Sequence, residues 1–342
     1  MSIKPPVDFA TLRALIASFP AGDEAAAQAA QARDAVLTKP PGALGRLESL
    51  AIWLARWQGR ARPGAEKIRV AVFAGNHGIA AAGVSPYPPS VTVQMVANFA
   101  AGGAAINALS AAIGADLTVV PLDLDRPSAD FRDRPALDEA EFLAALAEGF
   151  RVVGPELDLL CIGEMGIGNT TAAAASAAGL FGGNAIDWVG PGTGATGPVL
   201  EAKIKAVAAA AAFHRAATDD PLDLARRLGG RELAAMLGAC IAARLARVPV
   251  VLDGYVATAA VAALGLLRPD GLAHTVAGHC SAEPAHRRLL DRLGLPPLLD
   301  LGMRLGEASG AAVAAGIIRA AARAHNEMAS FAEAGVDGQG AG

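Results

Sequence analysis

The chain has 342 residues, enough for one large α/β domain or for a large domain with a small satellite. Hydrophobic residues make up 53% and charged residues 18%, which excludes a disordered chain, while only 4% aromatics means that much of the apolar content is alanine. The net charge of −4, with Lys and Arg dispersed, offers no basic face for nucleic acid, so a small molecule is the expected partner.

Three scattered cysteines, Cys161, Cys240 and Cys280, form no CxxC pair and fit a reducing, cytoplasmic setting. The first twenty residues lack a continuous apolar stretch and a cleavage signature, so no signal peptide is expected. Gly254 to Leu267, bounded by Asp253 and Arg268, falls short of the ~20 residues that a bilayer span needs, so no membrane association is expected.

Residues 1 to 59 read as helical. Leu44, Leu47, Ala51, Leu54 and Trp57 recur at helical spacing after the breaker Lys39-Pro40-Pro41-Gly42. From Ile68 the pattern changes to short apolar, β-branched runs at 68–74, 117–122, 157–162, 248–252 and 272–276. Between and after them lie Ala/Leu segments of helical length: 91–113, 137–150, 170–180, 199–217, 232–246, 255–267 and 283–293. Strands alternating with helices predict an α/β fold: a Rossmann-like, mostly parallel sheet with helices on both faces, over residues 60–305. Residues 1–59 and 306–342 are expected to form a small helical domain from both chain ends. The last residues, 335 to 342, read as disordered.

In such a sheet, ligands bind beyond the carboxyl ends of the strands. The unusual residues gather there. Gly163-Glu-Met-Gly-Ile-Gly-Asn-Thr-Thr171 follows one strand and opens a helix. Gly166 and Gly168 let backbone approach a ligand, and Asn169, Thr170 and Thr171 can donate to an anion at a helix N-terminus; the plain alternative is a turn capped by Thr170. The loop is neither a Walker A sequence nor GxGxxG. A second glycine loop, Val189 to Gly197, can wrap a phosphate, with Thr193 and Thr196 hydroxyls and either Lys203 or Lys205 reaching the same anion. Glu307, in Leu301-Gly-Met-Arg-Leu-Gly-Glu307, either complements a helix dipole or acts as a general base against Leu305 and Met303. Glu164 is a second carboxylate in a glycine loop. Ser85, Tyr87 and Gln94 suit a flat heterocycle, and His77 acts on protons or orients its loop. His279, Cys280 and His286 lack a matching second pair at zinc spacing, so no metal is expected. No Gly-x-Ser-x-Gly elbow is present for a hydrolase.

Taken in order, the segments Lys39-Pro-Pro-Gly-Ala-Leu-Gly-Arg-Leu-Glu48, AGNHGI, GVSPYP, SVTVQM, NFAAGGAAIN, GEMGIGNTT, VGPGTG, PVVLDG, HCSAEPAH and LGMRLGE carry a resemblance. From about residue 35 to 320 the chain resembles the nicotinate-nucleotide:dimethylbenzimidazole phosphoribosyltransferases. The resemblance implies a homodimer with a Rossmann-like domain and a small helical domain. It also implies transfer of 5-phosphoribose from nicotinate mononucleotide to 5,6-dimethylbenzimidazole, with no cofactor and no metal.

Motif by motif, the resemblance puts Glu307 on the catalytic base. Gln94 and Ser85 fall in the benzimidazole segment, with Leu305 and Met165 as pocket walls. Glu164, Gly166, Gly168 and Asn169 fall in the nucleotide loop, and Gly192, Gly194 and Lys203 near the phosphate. Two departures stand out: Asn76 replaces a frequent aspartate, and Ala308-Ser309 replaces Gly-Thr after the glutamate. Transfer to another lower-ligand base, or a binder of the base or nucleoside without catalysis, are the competing readings.

Overall fold

A computed structural model describes residues 3–337. Three helices come first, α1 (Phe9–Ala17), α2 (Glu24–Asp34) and α3 (Arg46–Gln58). Asp8 and Asp23 cap α1 and α2 by accepting the Thr11 and Ala26 N–H groups. Strand β1 (Ile68–Ala74) then opens the alternating part, followed by α4 (Ser90–Ala100), α5 (Ala105–Ala112), β2 (Asp116–Pro121), α6 (Glu139–Arg151), β3 (Leu159–Met165) and α7 (Asn169–Phe181). Next come α8 (Gly197–Arg215), α9 (Pro221–Leu228), α10 (Arg231–Ala246), β4 (Val250–Leu252), α11 (Tyr255–Leu267), β5 (Thr275–Ala277) and α12 (Pro284–Leu293). The last helices are α13 (Ser309–Glu327) and α14 (Phe331–Ala334).

The five strands form one parallel sheet in the order β2-β1-β3-β4-β5. The order reverses between β1 and β3, which opens a crevice at their carboxyl ends. There the Gly75 N–H donates to the Met165 carbonyl at 3.0 Å. Val70, Val72, Cys161 and Val251 point to one face, where α3, α5 and α13 cover them. Ala71, Phe73, Leu160, Ile162 and Leu252 point to the other, under α6, α7, α10 and α11. Burial on both faces explains why these strands read as continuous apolar runs.

The expected α/β fold is therefore present, with differences in detail. The segment read as one helix over 91–113 is two, because Gly102 takes φ 78° and breaks it after Ala100. The third strand runs on to Met165, so Glu164 belongs to the sheet rather than to the loop. Helix α9 lies in a stretch left without an element; Asp220 caps it and Pro221 begins it. Of the tail read as disordered, residues 338–342 lie outside the described residues.

Alanine and glycine content lets the layers approach closely. A Cβ at Gly163 would overlap the Ala308 backbone, so α13 lies almost against β3. The same device joins α6 to α10: a Cβ at Gly149 would overlap Ala235 and Ala239 backbone, and one at Gly238 the Leu146 carbonyl. Both chain ends meet beside this body. Arg33 donates to the carbonyls of His325, Asn326 and Met328, and Leu37 forms a bridge with Ser330.

Backbone on both sides of Gly149 cannot rotate away. Gly149→Val is expected to cost roughly 2–4 kcal/mol of stability, outweighing any gain in helix propensity. The check is the urea midpoint at unchanged m-value.

Candidate functional site

The crevice between β1 and β3 is lined by the segments that the sequence singled out. After β3 the chain turns through Gly166 and Gly168 and enters α7; Gly168 adopts φ 97°, which a Cβ would oppose. The Ile167 N–H donates to the Thr92 hydroxyl at 3.2 Å, tying the turn to α4. Ser85, Gly166, Gly168, Asn169, Thr170, Pro191, Thr193 and Lys203 line one small cleft. The wider surface cavities lie elsewhere, beside Trp53 and Leu266 and beside Lys39 and Phe331.

Lys203 enters the cleft from α8. Its ammonium is buried, donating to the Thr170 hydroxyl at 2.8 Å and the Gly190 carbonyl at 2.9 Å. Burial pulls its pKa down to about 8, opposed by the charge of Glu283, so it remains mostly a cation at neutral pH. Lys205, its rival in the sequence, is exposed. Thr170 is a partner of this ammonium, not the helix cap; Gly168 occupies that position. Gly192 adopts φ 55°, and a Cβ there would stand 2.8 Å from the Thr170 hydroxyl and 3.1 Å from the Lys203 nitrogen. The Gly192 carbonyl accepts from Arg304 at 3.2 Å.

Glu307 lies against the end of β3, beside the turn that follows it. Its N–H donates to the Glu164 carbonyl at 3.0 Å, its side chain is buried, and one carboxyl oxygen has no partner among the described residues. Both Glu307 and Ala308 adopt φ 62°, a conformation that side chains disfavour. Asp253, just past β4, explains how it is held. Its carboxylate accepts the Ala311 N–H at 3.0 Å and faces the Gly310 and Ala308 N–H groups, so it anchors the start of α13. Burial first, then the Asp253 charge, raises the Glu307 pKa above the usual carboxyl range. A Cβ at Gly306 would stand 2.6 Å from a Glu164 carboxyl oxygen, so only glycine lets the two acidic segments meet. Burial, with the charges of Asp253, Glu232 and Glu307, pushes Glu164 up to about 8, against the Asn169 amide that donates to it.

The structure thus brings together Ser85, Glu164, Gly166, Gly168, Asn169, Gly192, Lys203 and Glu307. Met165 ends β3, partly buried against the α13 face. Gln94 and Leu305 are exposed, and no hydrogen bond joins either to the cluster among the described residues. Gly194 has open space around it. His77 is fully enclosed and paired with buried Glu232, in keeping with a loop-orienting role. Asn76 donates to the Leu124 carbonyl at 2.9 Å. His286 accepts the Ser281 N–H at 2.9 Å and meets the Thr258 hydroxyl at 3.0 Å, which occupies both ring nitrogens. Among the described residues no group of three His, Cys, Asp or Glu side chains is gathered as a metal site. Sequence reading missed the anchoring role of Asp253 and the pairing of Glu232; an aspartate directly after a buried strand was the available signal for the first.

A carboxyl raised by folding binds its proton more tightly in the native state. Stability from Glu164 is therefore present below its ordinary value of 4.5 and lost as pH rises through about 8. Glu164→Gln is expected to shallow the fall of the melting temperature across that window. A melting curve whose pH slope is identical in the variant contradicts this account.

A family profile described as Phosphoribosyltransferase matches residues 19–336. The nicotinate-nucleotide–dimethylbenzimidazole phosphoribosyltransferase of Mesorhizobium japonicum is 59% identical over 325 residues, covering 95% of this chain and 97% of that protein. The enzyme of the same name from Cereibacter sphaeroides is 57% identical, covering 97% and 98%. The crystal structure of CobT from Thermus thermophilus superimposes with a TM-score of 0.85 at 41% identity, covering 92% of this chain and 99% of that one. With its fold and nearly its whole length in common with them, the chain belongs to this phosphoribosyltransferase family.

Proposed function

We propose that the protein transfers the 5-phosphoribosyl group of nicotinate mononucleotide to 5,6-dimethylbenzimidazole, giving α-ribazole 5′-phosphate and nicotinate, in assembly of the cobalamin nucleotide loop. The relatives named for that reaction support the substrates. The observation that carries the chemistry is Glu307: a buried carboxyl with one unpaired oxygen, fixed by its own N–H to the β3 end of the nucleotide crevice.

The nucleotide's pyridinium nitrogen is already a good leaving group. When the C1′–N bond breaks, its electron pair returns to the ring and neutralises it, so no acid is needed to expel nicotinate. The weak partner is the neutral benzimidazole. Its lone-pair nitrogen attacks C1′, the ring becomes cationic, and the N–H on its other nitrogen becomes acidic. Glu307 accepts that proton as the bond forms. Its raised pKa makes it a better acceptor than an ordinary carboxylate. Attack opposite the departing base inverts the anomeric centre and gives the α-linkage. Lys203 with the 190–194 turn holds the phosphate, and Glu164, Gly166, Gly168 and Asn169 hold the ribose. This remote grip aligns the ring with C1′. Ser85, Gln94, Met165 and Leu305 bound the benzimidazole, with Gln94 and Leu305 left exposed until the base enters. The same reading includes a homodimer, with the outer side of α4, where Val93 is 47% exposed, as the surface that a second copy covers.

Glu307→Gln is expected to lower turnover by about 10²- to 10⁴-fold while nicotinate mononucleotide still binds in calorimetry. Unchanged turnover removes the base assignment. Sedimentation equilibrium at the mass of two chains, shifted toward one chain by Val93→Glu on the exposed face of α4, tests the dimer.

A further inference from the structure

Among the buried charged side chains that the chemistry above does not use, Glu283 stands closest in role to the phosphate turn. It occupies the N-cap position of α12 and is 5% exposed, yet its side chain makes no capping bond there. One carboxyl oxygen instead accepts the Gly192 N–H at 2.6 Å. The other has no partner among the described residues. The same glycine gives its carbonyl to Arg304 at 3.2 Å, and Lys203 grips the Gly190 carbonyl at 2.9 Å. A turn held at three points by three charged side chains from three segments is far stiffer than a glycine loop alone. Glu283 is not among the residues that line the cleft, so it acts through the turn and through Lys203.

We infer that Glu283 is the positioning residue of the phosphate subsite: through the Gly192 N–H it fixes the Gly190–Gly192 turn that Lys203 also grips. The inference rests on reading the cleft as a phosphoribosyl site. Two consequences follow from the geometry. The Gly192 amide is engaged by Glu283, so glycine here shapes the turn rather than donating to the ligand. And Glu283 is the charge that opposes the loss of the Lys203 proton on burial. The charged and titratable groups that face Glu283 are Lys203 from α8, Arg304 from the segment before α13 and Tyr255 from α11.

The test compares nicotinate mononucleotide with nicotinate riboside, the same substrate without its phosphate. Their ratio of kcat/KM in the unaltered enzyme measures what the phosphate contributes. Glu283→Ala is expected to reduce that ratio by about 10- to 100-fold, the scale of a lost hydrogen bond to a charged group, through KM for the nucleotide and with the riboside unaffected. Glu283→Gln keeps an acceptor for the Gly192 N–H but removes the charge. The Lys203 pKa then falls further, so the alkaline limb of kcat/KM for the nucleotide moves to lower pH, and that for the riboside does not. This second variant carries the test if the alanine variant fails to fold. Equal losses on both substrates, or an unmoved alkaline limb, overturn the positioning role. An unaltered enzyme that does not distinguish the two substrates overturns the phosphoribosyl reading of the cleft itself.

Discussion

The short reach from Asp253 to the first amides of α13 is the contact on which the rest of the cleft depends. A carboxylate that has left water needs donors, and the free N–H groups of a helix start supply them, with the His279 ring 3.7 Å away. Asp253 is fixed in turn by the parallel ladder, its own N–H donating to the Ile162 carbonyl at 3.2 Å. The helix start therefore has one allowed position over β3. Glu307 and Ala308, immediately before it, are forced into left-handed backbone, and the Glu307 N–H lands on the Glu164 carbonyl. A chain of ordinary hydrogen bonds thus converts sheet register into the placement of a single carboxyl group.

That placement gathers like charges. Glu164, Glu232, Asp253 and Glu307 converge at the carboxyl ends of the strands, where Asp253 disfavours ionisation of Glu307, and all three neighbours disfavour that of Glu164. The cluster is held because its members differ: Asp253 has backbone donors, Glu232 has His77, Glu164 has the Asn169 amide, and Glu307 retains an unpaired oxygen. Of the four, the one least committed to the protein is the one that borders the incoming base in the proposed reaction. On the opposite side, Lys203, Arg304 and Glu283 fix the Gly190–Gly192 turn. Acid and cation are separated across one crevice, matching the two substrates of the proposed reaction, a nucleophilic base at one end and the phosphate of the nucleotide at the other.

Much of this was legible in the sequence, and the limits have physical causes. Two-sided burial writes a strand as an unbroken β-branched run, so Ile68–Ala74 is found to the residue. Strand ends are less legible: β3 carries polar Glu164 within its span, because the last residues of a strand at a ligand crevice need not be apolar. A glycine pair inside an alanine-rich segment was not enough to divide α4 from α5, since alanine favours helix on both sides. Within the site, glycine turns are local and readable. The partnerships His77–Glu232, Gly192–Glu283 and Asp253–Ala311 join residues far apart in the chain, and spacing carries no trace of them.

Helix α13 follows all five strands in the chain, and it both seals one face of the sheet and carries Glu307 at its entrance. During synthesis, Val70, Val72, Cys161 and Val251 emerge before α13, the last of the three helices that cover them. The growing polypeptide must therefore keep the uncovered part of that apolar face from neighbouring chains until α13 has emerged. The last cover of that face and the proposed base arrive together, Glu307 lying just before the nineteen-residue helix. A chain interrupted before Glu307 would lack both the proposed base and part of the cover of the sheet.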